Sequence, residues 1–208
     1  MGDNLLKNFI SGIVSGVLIS IGGTVYLSTD NKIAGALLFT VGLFTICSFG
    51  FNLYTGKVCY SIEQDNEYRK LLPVIWLGNF AGCVLTALVL SVTRIGPELK
   101  ERAIAVTDLK ESGSLLSVFI LAIFCNILIY IAVEGYRSIP HELGKYLALV
   151  FGVVVFILSG FEHCVANMFY FAMAGKFSLS MLVFIIVNTL GNSVGGILAN
   201  RVKIYVSK

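Results

Sequence analysis

The sequence predicts an all-α membrane protein with six transmembrane segments, two of them broken, in an inverted repeat of three plus three helices. The first observation is composition, because 57% of the 208 residues are hydrophobic and only 13% are charged. Average globular composition has about twice that charged fraction. The second observation is a series of apolar stretches close to the roughly 20 residues that a spanning helix needs. The third is a similarity between the two halves of the chain.

Four apolar segments are continuous, and two are interrupted. The continuous ones are residues 5–27, 71–92, 115–133 and 179–199. The second segment, residues 33–48, falls short of a full span, breaks over residues 49–56 and resumes at residues 57–60. The fifth, residues 146–159, breaks over residues 160–163 and resumes to residue 174. Residues 93–114 alternate charged and apolar side chains, which predicts an interfacial connector with some amphipathic helix.

The two breaks are similar in sequence. Residues 50–60 (GFNLYTGKVCY) align with residues 160–170 (GFEHCVANMFY) at an offset of 110, sharing the Gly, the Phe and the last Tyr. The pattern Leu-Gly-Asn-x-x-Gly at residues 77–82 returns at residues 190–195, at an offset of 113. We therefore predict a single transmembrane domain, residues 1–208, with repeats at about 5–92 and 115–199. Three crossings per repeat orient the copies oppositely, as in many transporters.

Composition excludes several classes of protein. The net charge of +3 is small and scattered, so no nucleic acid partner is expected. The cysteines lack C-x-x-C spacing and lie in or beside apolar runs, which predicts buried thiols rather than disulfides or a metal site. These are Cys47, Cys59, Cys83, Cys125 and Cys164. No cofactor is indicated, and the first apolar run is not followed by a signal-peptide cleavage pattern.

The chain is predicted to lie in the cell membrane. The distribution of its basic residues predicts that both termini are on the cytoplasmic side. Nine basic residues fall on the side of the termini: Lys7, Lys57, Arg69, Lys70, Arg137, Lys145, Arg201, Lys203 and Lys208. Six fall on the other side: Lys32, Arg94, Lys100, Arg102, Lys110 and Lys176. Loops rich in Lys and Arg stay in the cytoplasm.

Glu162 and His163 form an ionisable pair in the second break, between the uncharged residues 151–158 and 165–174. Ionisable groups inside a membrane are costly and mark functional sites. A break in the backbone is tolerated there only against protein or a water-filled cavity, so both breaks should face a pathway. We expect His163 to face this pathway and Glu162 to turn into the protein and hold the loop backbone.

Other interpretations of this pair stay open. The two side chains could simply fasten the broken helix. An intramembrane enzyme could use Glu162 and His163, with Cys164 as a nucleophile. The absence of G-x-S-x-G argues against a hydrolase, and a lone Glu-His with His141 in a loop argues against a metal site. We expect neither an enzyme nor a metal centre.

Several polar and aromatic residues are candidates for a pathway or for packing. Asn126, Asn167 and Asn192 are expected to hydrogen-bond between helices, and Asn167, one turn after His163, could also orient its ring. Lys110 precedes the fourth segment, where it could reach the outer mouth or snorkel to the interface. Phe39 and Phe156 could pack in the core or narrow a lumen.

Residues 160–169, G-F-E-H-C-V-A-N-M-F, resemble the signature of formate/nitrite transporters, which are pentameric channels for small monovalent anions. Asn-Leu-Tyr-Thr-Gly at 52–56 resembles their second-helix Ω loop, and Gly-Asn-x-x-Gly-Gly at 191–196 resembles their last-helix motif. Cys125 and Asn126 match the C-N of their fourth helix. The resemblance covers nearly the whole chain. It implies an aquaporin-like fold, a homopentamer in a lipid bilayer with one pore per protomer, and no cofactor.

The resemblance also implies roles for individual residues. His163 would be the central pore histidine, Leu53 and Thr55 would lie opposite it on the Ω loop, and Lys110 would be the basic residue of the outer vestibule. Asn167 would lie on the substrate pathway. Two hydrophobic constrictions would be formed by Phe39, Leu43, Ile129 and Phe156. The implied partners are small monovalent anions and protons.

The sequence departs from the family pattern in the Ω loop. Asn52 stands where an acidic residue is common, Tyr54 stands where Phe is usual, and Lys57 adds a charge. This loop looks more like that of clostridial-type members associated with hydrosulfide. We expect a channel for formate, nitrite or hydrosulfide, favouring hydrosulfide, in which protons assist passage; a neutral-solute channel on the same fold is the alternative. The family's amphipathic N-terminal helix is expected to be missing or truncated, because the first membrane segment begins at residue 5.

Overall fold

A computed structural model describes the backbone of residues 2–207 and the side chains of residues 4–207. Met1 and Lys208, the ends of the predicted domain, lie outside the described residues. The described part is helical throughout, joined by turns and short loops. The helices are α1 (Gly2–Ser28), α2 (Lys32–Phe49), α3 (Tyr54–Val58), α4 (Asn66–Ser91), α5 (Gly96–Glu111), α6 (Leu115–Ser138), α7 (Glu142–Leu158), α8 (Cys164–Ala174) and α9 (Leu179–Val206).

Five of these helices are long and apolar enough to cross a membrane, namely α1 from Asn4, α2, α4, α6 and α9. Helices α7 and α8 have 17 and 11 residues and are separated by the predicted break. The outward faces expose large apolar side chains such as Leu37, Leu85, Leu88 and Leu190. Such extended apolar surface is unusual on a soluble monomer and suits contact with lipid or a neighbouring subunit.

The helices extend beyond the apolar segments predicted from hydropathy. Helix α4 begins at Asn66, not at residue 71, because the Asp65 side chain caps it by accepting the N–H of Tyr68 at 2.8 Å. Helix α9 continues to Val206, whereas the apolar segment was predicted to end at residue 199. The last turns of α9 are held by polar contacts, including the ion pair of Lys203 with Glu134 at 2.7 Å. Hydropathy therefore locates the apolar section of each helix, and capping groups set its ends.

Both breaks begin at a glycine in the left-handed region of backbone space. Gly50 ends α2 at φ 74°, and Gly160 follows α7 at φ 68°. The next N–H in each case closes the turn, from Phe51 to the Ile46 carbonyl and from Phe161 to the Phe156 carbonyl, both at 3.0 Å. This is the usual way to end a helix without leaving its last carbonyls unpaired. The chain then runs extended before α3 and α8 begin.

The two halves pack in corresponding ways. Helix α1 lies against α2 and α4, and α6 lies against α7 and α9. Helices α2 and α7, which precede the breaks, pack against each other, and α8 packs against α4 and α5. At Gly82 and Gly195 the helix backbones approach so closely that a Cβ would overlap the carbonyl oxygens of Ile13 and Ile123. Both breaks are thereby brought to the middle of the bundle.

Candidate functional site

Two cavities enter the bundle, one from each side of the breaks, and we name them outer and inner after the predicted orientation. The outer cavity has a volume of about 300 Å³ and is lined by residues of α5 and by the second break, including Lys110, Glu162 and His163. The inner cavity has a volume of about 660 Å³ and is lined by the first break and by residues such as Lys57 and Tyr60. The inner cavity lies on the side of the C-terminal end of α9, because Tyr60 and Lys203 share the carboxylate of Glu134.

The partition between the cavities is thin. Phe39 lines the outer cavity and Leu43, one turn later on α2, lines the inner cavity. The four residues from Phe39 to Leu43 rise by about 6 Å along the helix, compared with the roughly 30 Å of the hydrocarbon core of a bilayer. Phe156 lines the outer side and Leu53 the inner side, so apolar side chains bound the partition on both faces. Ile129 is buried in the core nearby but lines neither cavity.

His163 stands at the inner end of the outer cavity and is 2% exposed. Its Nδ1 accepts the backbone N–H of Ala166 at 3.1 Å, which caps α8. A neutral imidazole with Nδ1 as acceptor carries its proton on Nε2. The Nε2–H therefore donates to the Thr55 hydroxyl oxygen at 3.0 Å. The ring stacks on Phe156 at 5.6 Å, and Phe156 meets Phe39 edge to face at 6.2 Å.

The position of Thr55 is itself fixed by the opposite half of the bundle. It is fully buried in α3, and its backbone carbonyl accepts the Asn126 amide at 3.1 Å. The structure thus brings together His163, Thr55, Phe39 and Phe156, which the family resemblance implied. The predicted orientation of the ring by Asn167 is wrong, because the ring is held by Thr55 and the Ala166 N–H.

Glu162 and Lys110 form a single ion pair. The Lys110 ammonium donates to Oε2 of Glu162 at 2.7 Å, and the two side chains are 15% and 5% exposed. Asn167 donates to the same oxygen at 2.6 Å and to Asn188 at 2.7 Å. Glu162 does turn into the protein, but the prediction that its carboxylate holds the loop backbone is wrong. The positive charge of Lys110 in the outer cavity is therefore neutralised.

Two asparagines hold the two breaks by matching hydrogen bonds. Asn79 accepts the N–H of Tyr54 and donates to the carbonyls of Asn52 and Gly12, at 2.8 to 3.0 Å. Asn192 accepts the N–H of Cys164 at 2.9 Å and donates to the carbonyls of Glu162 and Ala122, both at 2.8 Å. One amide side chain thus satisfies the first N–H of the short helix and the carbonyl of the extended loop. These contacts give the broken backbone the hydrogen bonds that lipid cannot provide.

Helix α5 covers the outer cavity and is fastened to the turn before α9. Lys176 donates to Asp108 at 2.5 Å and to Glu111 at 2.6 Å, and we call these three residues the outer clamp. The hydrogen bonds to Asp108 and Glu111 raise the pKa of Lys176 above its ordinary value. The clamp holds α5, and with it Lys110, over the mouth of the cavity.

Three positions of the site were not identified as site residues from the sequence. Asn79 lay within the repeated Leu-Gly-Asn pattern, which was the signal that it matches Asn192. Asn188 donates to the Glu162 carbonyl at 2.7 Å and has no counterpart in a motif. Arg137, at the end of α6, lines the inner cavity and had been counted only in the charge distribution.

Comparison with known sequences gives a consistent result. A family model described as formate/nitrite transporter matches residues 1–206. Formate channel FocA of Haemophilus influenzae is 28% identical over 91% of this chain and 82% of its own. The uncharacterized transporter YrhG of Bacillus subtilis is 32% identical over 80% of this chain and 68% of its own. Nitrite transporter NirC of Salmonella typhimurium is 26% identical over 83% of this chain and 70% of its own.

Solved structures share the fold. One described as a pentameric formate channel with formate bound has a TM-score of 0.82 at 26% identity, and the match covers 99% of this chain and 98% of that one. A second, described as an FNT family ion channel, has a TM-score of 0.84 at 22% identity, covering 100% and 92%. With the five apolar helices, these similarities confirm the prediction of an all-α, multi-pass membrane protein.

Proposed function

Because the chain belongs to the formate/nitrite transporter family, we propose that it is a channel for small monovalent anions of weak acids. The candidates are formate, nitrite and hydrosulfide, and the Ω-loop sequence favours hydrosulfide. The relatives and structures compared above are channels or transporters by name, which supports transport rather than catalysis. The chain would act as a homopentamer, as the formate channel of similar structure does, with one pore in each protomer.

The observation that carries this proposal is the pair of cavities separated by a thin partition containing His163. Water can hydrate an anion in both cavities, so dehydration is confined to about one helical turn. Carrying a bare charge through apolar surroundings costs several kcal/mol. Protonation of a weak-acid anion removes most of this cost. Formate, nitrite and hydrosulfide are all conjugate bases of weak acids.

His163 supplies the donor at the point of greatest dehydration. Its Nε2–H donates to Thr55 in this structure. When an anion reaches the partition, the same N–H can donate to the anion instead. Phe39 and Phe156 would form the outer constriction, with Leu43 and Leu53 on the inner side and Ile129 behind them. Hydrogen bonds to charged groups contribute about 1.5–3 kcal/mol, comparable with the cost of partial dehydration. A proton would then accompany the anion across the partition.

The corresponding contacts of Asn79 and Asn192 support a topology of six crossings in two inverted repeats. Helices α2 with α3, and α7 with α8, would each make one broken crossing of the membrane. The repeats at about residues 5–92 and 115–199 would form one transmembrane domain over residues 1–208. The excess of Lys and Arg on the side of the inner cavity supports cytoplasmic termini.

Flux through proteoliposomes tests the proposal. We expect the wild-type protein to carry formate, nitrite and hydrosulfide, with flux that rises as the pH falls toward the pKa of each acid. His163→Phe and His163→Asn should lower flux or change the selectivity by about 10- to 100-fold, while the oligomer keeps its size. Equal transport of formate and hydrosulfide by the His163 variants and the wild type would contradict the role of His163.

The same measurement separates the two rival functions. A neutral-solute channel predicts permeation that depends neither on pH nor on Lys110. An enzyme predicts turnover that Cys164→Ala abolishes. The Cys164 side chain is fully buried and lines neither cavity, so a substrate in either cavity would not contact it. The channel is therefore the function that the geometry favours.

A further inference from the structure

The inner cavity contains two cationic side chains that carboxylates leave unpaired. Lys57 lies in the last turn of α3 and Arg137 lies in the last turn of α6, and both line this cavity. Among the described residues, the ion pairs include neither of them. Among residues 4–207, whose side chains the structure describes, no Asp or Glu lines the inner cavity. The outer cavity differs, because its Lys110 is neutralised by Glu162.

Neighbouring groups hold Arg137 in place without cancelling its charge. Its guanidinium lies over the ring of Tyr60, 4.8 Å from the centroid. The Tyr60 hydroxyl donates to Glu134 at 2.7 Å, and that carboxylate also accepts from Ser138 and Lys203. The nearby carboxylate is therefore occupied by other donors. Stacking on the ring face leaves the N–H edge of the guanidinium available.

The uncharged donors of the inner cavity are largely committed to protein acceptors. The hydroxyl of Tyr68 donates to the Lys57 carbonyl at 2.7 Å, and that of Tyr136 donates to Ser48 at 3.3 Å. The donors left uncommitted at the cavity are the two cations and the amide of Gln64, and of these only the cations are charged. The volume of about 660 Å³ greatly exceeds the roughly 30 Å³ that one water molecule occupies in the liquid. The cavity can hold a polyatomic anion with its hydration water.

We propose that Lys57 and Arg137 form a binding site for a divalent oxyanion of the sulfate or phosphate class, and that its occupation blocks the pore. A guanidinium binds two oxyanion oxygens side by side, and an ammonium adds a point charge. Leu43 and Leu53 bound the same cavity at the partition, so the bound anion stands in front of the constriction. Its two charges prevent it from crossing. Binding is independent of the proposed channel function, whereas the block rests on it.

Equilibrium binding of radiolabelled sulfate to the purified oligomer tests the site. At constant ionic strength maintained with chloride, we expect Lys57→Gln and Arg137→Gln each to weaken binding at least about tenfold, since each removes one charged contact. Lys57→Arg keeps the charge and should stay within about threefold of the wild type. Lys70→Gln is the matched control, because Lys70 is an exposed lysine on the same side that pairs with Glu67. Equal sulfate affinity in all five proteins overturns the proposal, as does undetectable binding to the wild type.

Formate flux in uniformly oriented proteoliposomes tests the block. Sulfate added on the side of the termini should reduce flux in the wild type and in Lys70→Gln, and Lys57→Gln should lose most of this inhibition. Sulfate that binds without lowering flux, or that inhibits equally from the side of α5, overturns the blocking role. A wild-type protein that carries none of the three monovalent anions refutes the proposed function instead, and the binding comparison then decides the site alone.

Discussion

Removal of Lys110 should destabilise the protein far more than neutralisation of its partner Glu162. In Lys110→Met the carboxylate of Glu162, 5% exposed, keeps only the amide of Asn167 as a hydrogen-bond donor. Breaking a buried ion pair by removing one partner costs about 3–5 kcal/mol. The 15% exposure of the Lys110 side chain indicates that water reaches the pair, so we expect the lower end of this range, about 3 kcal/mol.

Neutralising Glu162 instead of removing Lys110 should destabilise the protein less. In Glu162→Gln, the amide oxygen can still accept from Asn167, and the Lys110 ammonium can turn toward water in the outer cavity. The loss is then close to one charge-assisted hydrogen bond, about 1.5 kcal/mol. The double variant has no unpaired charge, so it should be about as stable as Glu162→Gln. Additive effects would give about 4.5 kcal/mol, and we expect a favourable coupling of at least about 2 kcal/mol.

Thermal unfolding in detergent, followed by a dye that becomes fluorescent on reaction with thiols, measures these differences. The protein supplies its own reporters, since Cys59, Cys83, Cys125 and Cys164 are buried. Cys47, which is partly exposed, is replaced by Ser in every variant to remove the background. On the scaling of a globular chain of this size, about 3 kcal/mol lowers the midpoint by about 6–12 °C.

Two results would refute this reasoning. If Lys110→Met unfolds at the same temperature as the parent protein, the ion pair contributes nothing to stability. If the double variant is less stable than Lys110→Met, the two residues act separately and the pair at 2.7 Å is not the relevant interaction. Oligomer size by gel filtration serves as the control, because dissociation would also lower the midpoint.

Three further predictions concern the partition, the repeats and the outer clamp. Thr55→Val removes the acceptor for His163 and should cost about 1–3 kcal/mol with reduced anion flux, whereas Thr55→Ser should keep both; unchanged stability and flux in the Val variant would contradict the contact. Asn79→Ala and Asn192→Ala should each lower the stability by about 1–3 kcal/mol, since each leaves the first N–H of a short helix unpaired, and unfolding midpoints that differ greatly between the two variants would argue against equivalent roles. The raised pKa of Lys176 means that the clamp is present below the ordinary lysine pKa, near 10.4, and is lost as pH rises through the higher folded value. The protection of α5 amides, measured as the exchange rate relative to the intrinsic base-catalysed rate, should therefore fall only above that pH or at high salt, and a loss of protection near neutral pH would exclude the clamp.

Hydropathy and the repeated motifs predicted most of the helical architecture. Eight of the nine helices of the described chain fall on a predicted apolar segment, a resumption after a break, or the connector. Helix α3 is the exception, because it begins at Tyr54, inside the predicted break at residues 49–56. The errors are at helix ends, where Asp65 and the contacts of Lys203 extend α4 and α9 beyond their apolar sections. Capping depends on single side chains and on partners distant in sequence, to which a hydropathy average is insensitive.

The site was predicted less completely, since its interactions join residues far apart in the chain. His163 was identified because an ionisable side chain inside a membrane is energetically costly. The location of Thr55 opposite it came from the family resemblance. Lys110 and Glu162 were assigned separate roles, because their pairing requires α5 to fold back over α8. Arg137 gave no local signal that it shares a cavity with Lys57. Only tertiary packing brings such groups together.

The matched contacts of the two breaks also explain why the site itself is not symmetric. Leu53 and His163 both occupy the residue before a short helix, at an offset of 110, and each follows a carbonyl held by an asparagine. The first N–H of each short helix is satisfied by that asparagine, so neither break requires a particular side chain at this position. The first break therefore carries the apolar Leu53 at this position, and the second carries the polar His163. A frame that is satisfied through its backbone leaves its central side chain free to differ, and the proposed role of His163 in the pore depends on that freedom.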